Sequence, residues 1–227
     1  MSKSIYLIGG SKGGVGKSLV AMTTIDYLLE KGENVLLVES DINSPDVWKA
    51  LKDTIKTEIV NLDESDGWIQ LVNLCDSNPN TVVVINTAAR NNEGVSTYGE
   101  TLSGALAELK RKLITLWVIN RQRDSLELLK EYMDAMLNTT VHVIRNGQFG
   151  DENKFELYNG SKIRFSVEER GGKSLTFPKL ADRVSDDIYN KRMSISTALK
   201  ELPIGNRAEL TRWRNEAKKM LNEVSDE

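Results

Sequence analysis

The chain has 227 residues, 40% hydrophobic and 28% charged, a balance that fits a globular protein and excludes a disordered tail. Its formal net charge of -3 argues against a constitutively basic nucleic-acid module, and no apolar run approaches the roughly 20 residues that span a bilayer. With Cys75 the only cysteine and His142 the only histidine, neither an intrachain disulfide nor a Cys/His metal centre can form.

In chain order, short β-branched runs alternate with longer helical patterns, which predicts an α/β fold: a mainly parallel sheet with helices on both faces. Strands are expected at about Ser4–Gly9, Asn34–Glu39, Thr57–Val60, Thr81–Asn86, Leu113–Ile119, Thr140–Arg145 and Ser174–Phe177. The runs "TVVVIN" and "LITLWVIN" are nearly continuous in apolar residues, as central strands buried on both faces require. Ser44 before Pro45, Asp124 in "DSLE" and Asn206 in "NRAE" mark expected helix caps, and Gly171-Gly172 an expected helix stop. Cys75 falls at helical spacing from Trp68, Leu71 and Val72, so it is expected in the core, and His142 lies in a strand-like run. After Pro178 the pattern is helical only, at about Leu180–Asn190, Ser194–Leu202 and Asn206–Val224. The whole chain, 1–227, is expected to form a single domain, with about 180–227 as a helical extension packed on it. The N-terminus lacks the apolar core and cleavage site of a secretory signal, so the expected location is cytoplasmic, with no stable membrane insertion.

The stretch "GGSKGGVGKS", Gly9 to Ser18, sits between the first strand and the first helix. Gly-Lys-Ser closing a glycine run in that setting is the second half of a phosphate-binding loop. Backbone N–H groups converge on a phosphate only where side chains stay out of the way, which Gly10, Gly13, Gly14 and Gly16 permit. Ser11, Lys12, Val15 and Leu19 complete the expected cradle; Lys17 reaches the terminal phosphates and the Ser18 hydroxyl binds Mg²⁺ at the helix N-terminus.

The first glycine of G-x-x-x-x-G-K-[ST] falls here on Ser11, and Lys12 precedes the glycine pair. That K-G-G-x-G-K-[ST] form resembles the deviant Walker A loop of the ParA/MinD family. The resemblance implies a P-loop NTPase of three layers, a slow Mg²⁺-dependent ATPase, with ATP and Mg²⁺ as cofactors. It also implies a homodimer in which Lys12 reaches the partner's nucleotide while Lys17 acts in cis. The family's D-x-D-P-Q is here Glu39-Ser40-Asp41-Ile42-Asn43, so Asp41 is expected to orient the attacking water or hold Mg²⁺ through water. Glu39, two residues earlier on the strand, is expected to point the same way. The catalytic set implied is thus Lys12, Lys17 and Asp41.

The position of the Walker B acid is occupied by Asn86, which can accept a hydrogen bond from a Mg²⁺-bound water but adds no charge; Thr87 follows it as a candidate γ-phosphate contact. The metal set implied is Ser18, Asp41 and Asn86. Asn146 resembles the residue with which the family reads the purine, with Asn120 as second choice, Pro178 and Lys179 beside the base, and Arg121 and Arg123 on the dimer face. Within the family the chain looks like the ParA-like proteins of mobile plasmids, of TraL and StbB type. That likeness implies work in partition, stability or conjugative mobilisation, on DNA bound without sequence preference or through a plasmid-encoded DNA-binding protein. Two alternatives stay open: a nucleotide-binding adaptor that does not hydrolyse, and a small-molecule synthetase or kinase related to dethiobiotin synthetase. The amphipathic tail "NRAELTRWRNEAKKMLNEV" admits three uses, as a helix docked on the sheet, a DNA-contacting face, or a membrane or partner helix.

Overall fold

The computed structural model describes residues 3–10, 13–89, 92–137 and 139–225. Its centre is a sheet of seven parallel strands: β1 (Ile5–Gly10), β2 (Val35–Glu39), β3 (Lys56–Ile59), β4 (Val82–Asn86), β5 (Leu113–Ile119), β6 (Thr140–Asn146) and β7 (Ser174–Phe177). Their order is β3-β2-β4-β1-β5-β6-β7, so the chain leaves β1 toward one edge and returns past it to build the other. Ligands of such sheets lie outside the carboxyl ends of the strands, where the winding reverses.

The helices are α1 (Lys17–Glu30), α2 (Asp46–Leu51), α3 (Ser65–Ser77), α4 (Asn92–Leu109), α5 (Arg123–Ala135), α6 (Glu156–Asn159), α7 (Lys162–Glu169), α8 (Asp182–Asn190), α9 (Ile195–Glu201) and α10 (Ile204–Ser225). Strand alternation divides the core in two. Tyr6, Ile8, Leu37, Val84, Leu116, Val118 and Ile144 face the layer of α1, α2 and α8 to α10. Leu7, Leu36, Val38, Val83, Ile85, Trp117 and Val143 face α3, α4, α5 and α7. Both sheet faces are therefore apolar, which is why the central strands read as unbroken hydrophobic runs.

The strands fall within one residue of where the sequence places them, with β1 shifted by one residue at both ends. Helix starts differ. The first turn of α2 opens at Asp46 with Pro45 in the cap position, so Ser44 lies outside it. Gln122 caps α5, and Asp124 sits inside the first turn. Helix α10 starts at Ile204, and the Asn206 amide donates to Asp187 at 2.8 Å instead of capping. The expected stop at Gly171-Gly172 forms: Gly171 has a φ of 79°, and the two N–H groups donate to Glu168 and Val167 carbonyls.

The C-terminal tail is docked on the sheet layer. Leu210, Trp213, Ala217, Met220, Leu221 and Val224 are buried on one face, as their helical spacing predicts. Its basic residues are largely paired: Arg214 with Asp26 (2.6 Å) and Glu30, Lys218 with Glu30, and Arg212 with Glu209 and Glu216. These pairs leave little of the tail's positive charge uncompensated for a DNA backbone. Cys75 is fully buried, as expected. Among the described residues no helix is long and apolar enough to cross a membrane.

Candidate nucleotide site

A cavity of about 460 Å³ opens at the carboxyl ends of the strands. Each strand that reaches it either ends in a lining residue or leads into one. The loop after β1 contributes Gly13, Gly14, Val15 and Gly16, running into Lys17, Ser18 and Leu19 of α1; Asp41 follows β2; Asn86 ends β4 and Thr87 follows; Asn146 ends β6; Pro178 follows β7. Residues more than 130 apart in sequence meet because parallel strands deliver their ends to one side.

The loop is shaped by three local constraints. A Cβ on Gly10 would press on the Val118 carbonyl and on the Lys17 and Val15 side chains, so Gly10 lies beneath the cavity and does not line it. Gly16 caps α1 with a φ of 102°, a left-handed conformation that glycine adopts without strain. A Cβ there would also run into the Asn146 amide. Gly13 and Gly14 have open space where a side chain would stand, which leaves their backbone accessible to a ligand. The expected cradle residues Ser11 and Lys12 lie outside the described residues.

Lys17 is 7% exposed, and burial lowers its amine from the ordinary 10.5 to about 8, a drop that the nearby Asp41 charge partly offsets. A buried ammonium at a helix N-terminus is an environment that favours an anion. Asn146 lines the cavity, with its Nδ2 donating to the Val15 carbonyl at 2.8 Å and its Oδ1 accepting from Gln148 N at 3.0 Å. Its first task is thus to brace the glycine loop. One further N–H and one lone pair remain for a ligand. The second choice for base contact, Asn120, stands away from the cavity, where it accepts from Gln122 N and the Ser125 hydroxyl. Arg121 and Arg123 are exposed. Pro178 lines the cavity whereas Lys179 is exposed outside it.

The expectation that Glu39 and Asp41 point the same way fails. Strand β2 ends at Glu39, and Asp41 already lies in the loop beyond it, just ahead of the bends at 42–44, so strand alternation no longer relates the two. Asp41 lines the cavity; Glu39 is fully buried beneath it. The Glu39 carboxylate accepts from Asn86 Nδ2 at 2.9 Å, from Asp41 N at 3.1 Å and from Trp48 N at 3.4 Å. Burial raises its carboxyl to about 7, against the pull of these hydrogen bonds. With its amide nitrogen held by Glu39, Asn86 leaves Oδ1 buried without a hydrogen-bond partner. Thr87 lines the cavity while its hydroxyl donates to the Ile8 carbonyl at 2.8 Å.

The far wall was not read from the sequence. Asp182, Ser185, Asp186 and Tyr189 of α8 line the cavity, together with Gln148, Phe177 and Leu180. Their i, i+3, i+4, i+7 spacing is the signal: a polar stripe directly after the cavity's proline, opposite the buried Val184 and Ile188. Gln148 donates to Asp182 at 2.7 Å, closing the wall between β6 and α8. Trp213 of α10 supports it from behind, donating to the Pro178 carbonyl at 2.8 Å and meeting Phe177 edge-on at 5.4 Å.

Among the described residues no group of three or more His, Cys, Asp or Glu side chains is placed to hold a metal by itself. The residues present offer hard oxygens: Ser18, Asp41 and Asn86 all line one cavity, and Asn86 Oδ1 is buried with no hydrogen-bond partner. That set fits Mg²⁺, which takes few protein ligands and completes its shell with water and phosphate oxygens.

The model of the CobQ/CobB/MinD/ParA nucleotide binding domain matches residues 6–147, which include the loop, Asp41, Asn86 and Asn146. The chain is 78% identical over all 227 residues to Protein MobD of Acidithiobacillus ferrooxidans, covering 100% of both proteins. It superposes on the MinD cell division protein of Aquifex aeolicus with a TM-score of 0.56 at 16% identity, covering 94% of this chain and 96% of that one. A MinC:MinD complex from the same organism gives 0.54 at 15%, over 94% and 95%. At such identities the likeness concerns the fold, while the domain match covers most of the site. The chain belongs to the CobQ/CobB/MinD/ParA family of nucleotide-binding domains.

Proposed function

We propose that this chain is a ParA-like ATPase that works as a nucleotide-dependent dimerisation switch in the cytoplasm. The observation that carries the reading is the cavity itself. It joins a glycine cradle with a buried lysine and a serine at a helix N-terminus to a part lined by Asn146, Phe177 and Pro178. The first suits a polyphosphate, the second a purine with its apolar faces and polar edge.

In this reading the N–H groups of the Gly13–Ser18 loop and the Lys17 ammonium bind the phosphates, and Asn146 holds the loop in shape while offering its remaining polar atoms to the base. Ser18, Asp41 and Asn86 would hold Mg²⁺, which when bound neutralises phosphate charge. Asp41 orients the attacking water, and Asn86 in place of an acid makes turnover slow. Lys12, carried over from the family's loop, bridges to the nucleotide of a second copy. The whole chain acts as one nucleotide-binding domain with its C-terminal helices docked on it. The name of the 78% identical relative, MobD, supports a role in plasmid mobilisation, beside the TraL- and StbB-type proteins. A plasmid-encoded DNA-binding protein, or DNA itself, is the partner of the dimer.

Light scattering with ATP, ADP and no nucleotide tests the switch: a dimer with ATP alone supports it, and one mass in all three conditions contradicts it. Asn86 also favours a second reading, an adaptor that binds nucleotide without hydrolysis. Phosphate release above background that Lys17→Ala abolishes separates the two, since the adaptor releases none.

A further inference from the structure

We propose that Glu39 supplies, through Asn86, the negative charge that this chain's β4 lacks, making it the residue that positions and polarises Asn86 toward a bound divalent cation. The inference rests on the functional reading above and concerns the metal side of the same site.

Three observations carry it. Glu39 and Asn86 are direct register partners on β2 and β4, so their side chains meet at the carboxyl ends of adjacent strands. The Asn86 amide donates to Glu39 Oε1 at 2.9 Å, which fixes which way the amide faces. Its Oδ1 is then left buried with no donor, although Asn86 is only 2% exposed and lines the cavity beside Ser18 and Asp41. A buried acceptor without a donor is costly, and here the cost is relieved by whatever brings a donor or a cation into the cavity. A carboxylate bonded to the amide N–H draws electron density toward Oδ1, as outer-shell partners do for metal ligands. The charge thus sits one residue behind its usual place, and the amide transmits it.

A purely structural role for Glu39 is the competing account, because its carboxylate also accepts from Asp41 N and Trp48 N and so ties the bend after β2 to α2. The two accounts separate in the benefit that Mg²⁺ brings to nucleotide affinity. Glu39→Gln keeps an oxygen for Asn86 Nδ2 while removing the charge. The double variant Glu39→Gln/Asn86→Asp exchanges donor and acceptor, so that the glutamine amide donates to an acid now placed on β4.

The experiment is calorimetric titration of ATP at pH 8, with Mg²⁺ and with EDTA, for the parent, Glu39→Gln, Asn86→Asp and the double variant. The expected result is that Glu39→Gln lowers the affinity gained from Mg²⁺ by about tenfold, the low end for loss of an outer-shell partner. Affinity in EDTA stays unchanged, and the double variant recovers the gain. Asn86→Asp alone, which sets two carboxylates against each other, binds worse than the double variant. An unchanged Mg²⁺ gain in Glu39→Gln overturns the inference, as does an equal loss with and without Mg²⁺ or a double variant that recovers nothing. Should Glu39→Gln not fold, the double variant decides: a full Mg²⁺ gain supports the inference and none overturns it. A parent that binds no ATP overturns the functional reading itself, and the inference with it; a parent whose Mg²⁺ gain ignores Glu39 overturns the inference alone.

Discussion

Lys17→Met offers a test in which stability and function move in opposite directions. Burial lowers the Lys17 amine from 10.5 to about 8 in the unliganded fold. At about 1.4 kcal/mol per pH unit that gap corresponds to about 3 kcal/mol against the folded state at neutral pH. The sign follows from proton counting. Below the folded value both states carry the proton, and folding bears the full cost of burying the charge. Between about 8 and 10.5 the unfolded chain holds more protons than the folded one, so stability rises with pH and the cost fades. Methionine keeps most of the apolar stem and removes the charge. Unliganded Lys17→Met should therefore unfold at higher urea than the parent at pH 7, by up to about 3 kcal/mol, and the difference should shrink to about 1.4 kcal/mol at pH 9.5. The same variant should lose nucleotide binding. In the parent, a polyphosphate that restores the ammonium should draw about half a proton per site from buffer at pH 8 and about a tenth at pH 7. Calorimetry in two buffers of different ionisation enthalpy reads that uptake; at pH 8 the nucleotide's own phosphates are already ionised. A variant no more stable than the parent at pH 7, or binding enthalpies independent of buffer at pH 8, would refute the reasoning.

The other predictions concern what holds the cavity in shape. Gly16→Ala places a Cβ at a φ of 102° and against the Asn146 amide; it should cost about 1–3 kcal/mol in urea unfolding and abolish nucleotide binding, and a variant that binds like the parent contradicts the loop's account. Arg111, 5% exposed, donates to the carbonyls of Lys3, Cys75 and Thr81 at 2.7, 2.8 and 2.6 Å. Arg111→Ala removes the donor from one buried and two part-buried carbonyls outside the cavity lining, and should lower stability by about 3 kcal/mol with nucleotide affinity retained in whatever remains folded. Trp213→Ala should cost about 3–5 kcal/mol and weaken nucleotide binding, because the wall at Phe177 and Pro178 loses its backing. Trp213→Phe, which gives up the N–H to the Pro178 carbonyl and leaves a smaller void than alanine does, should cost less than Trp213→Ala by thermal or urea unfolding.

What the sequence reveals and what it hides divide along physical lines. The strands were legible because a sheet covered on both faces demands uninterrupted apolar runs, and "TVVVIN" and "LITLWVI" have no other use. The glycine loop was legible because chemistry dictates residue type at each step. Helix caps were less so: Ser44, Asp124 and Asn206 are all good capping residues, yet the chain enters each helix within two residues of them, with Pro45, Gln122 and the turn at Ile204 setting the start. The position of Glu39 depended on where β2 stops, which no local pattern states. Its partnership with Asn86 spans 47 residues and needs the strand register. The α8 wall went unread because a polar stripe on an amphipathic helix is ordinarily its solvent face, and here that largely exposed stripe borders the cavity.

The central claim is that a nucleotide occupies the cavity between the glycine loop and Pro178. A crystal structure of the chain grown with Mg²⁺ and a non-hydrolysable ATP analogue tests it most directly. The account predicts phosphates on the Gly13–Lys17 backbone amides, a divalent ion among Ser18, Asp41 and Asn86, and a purine against Pro178. An analogue bound elsewhere, or a cavity holding only solvent at saturating analogue, would contradict it.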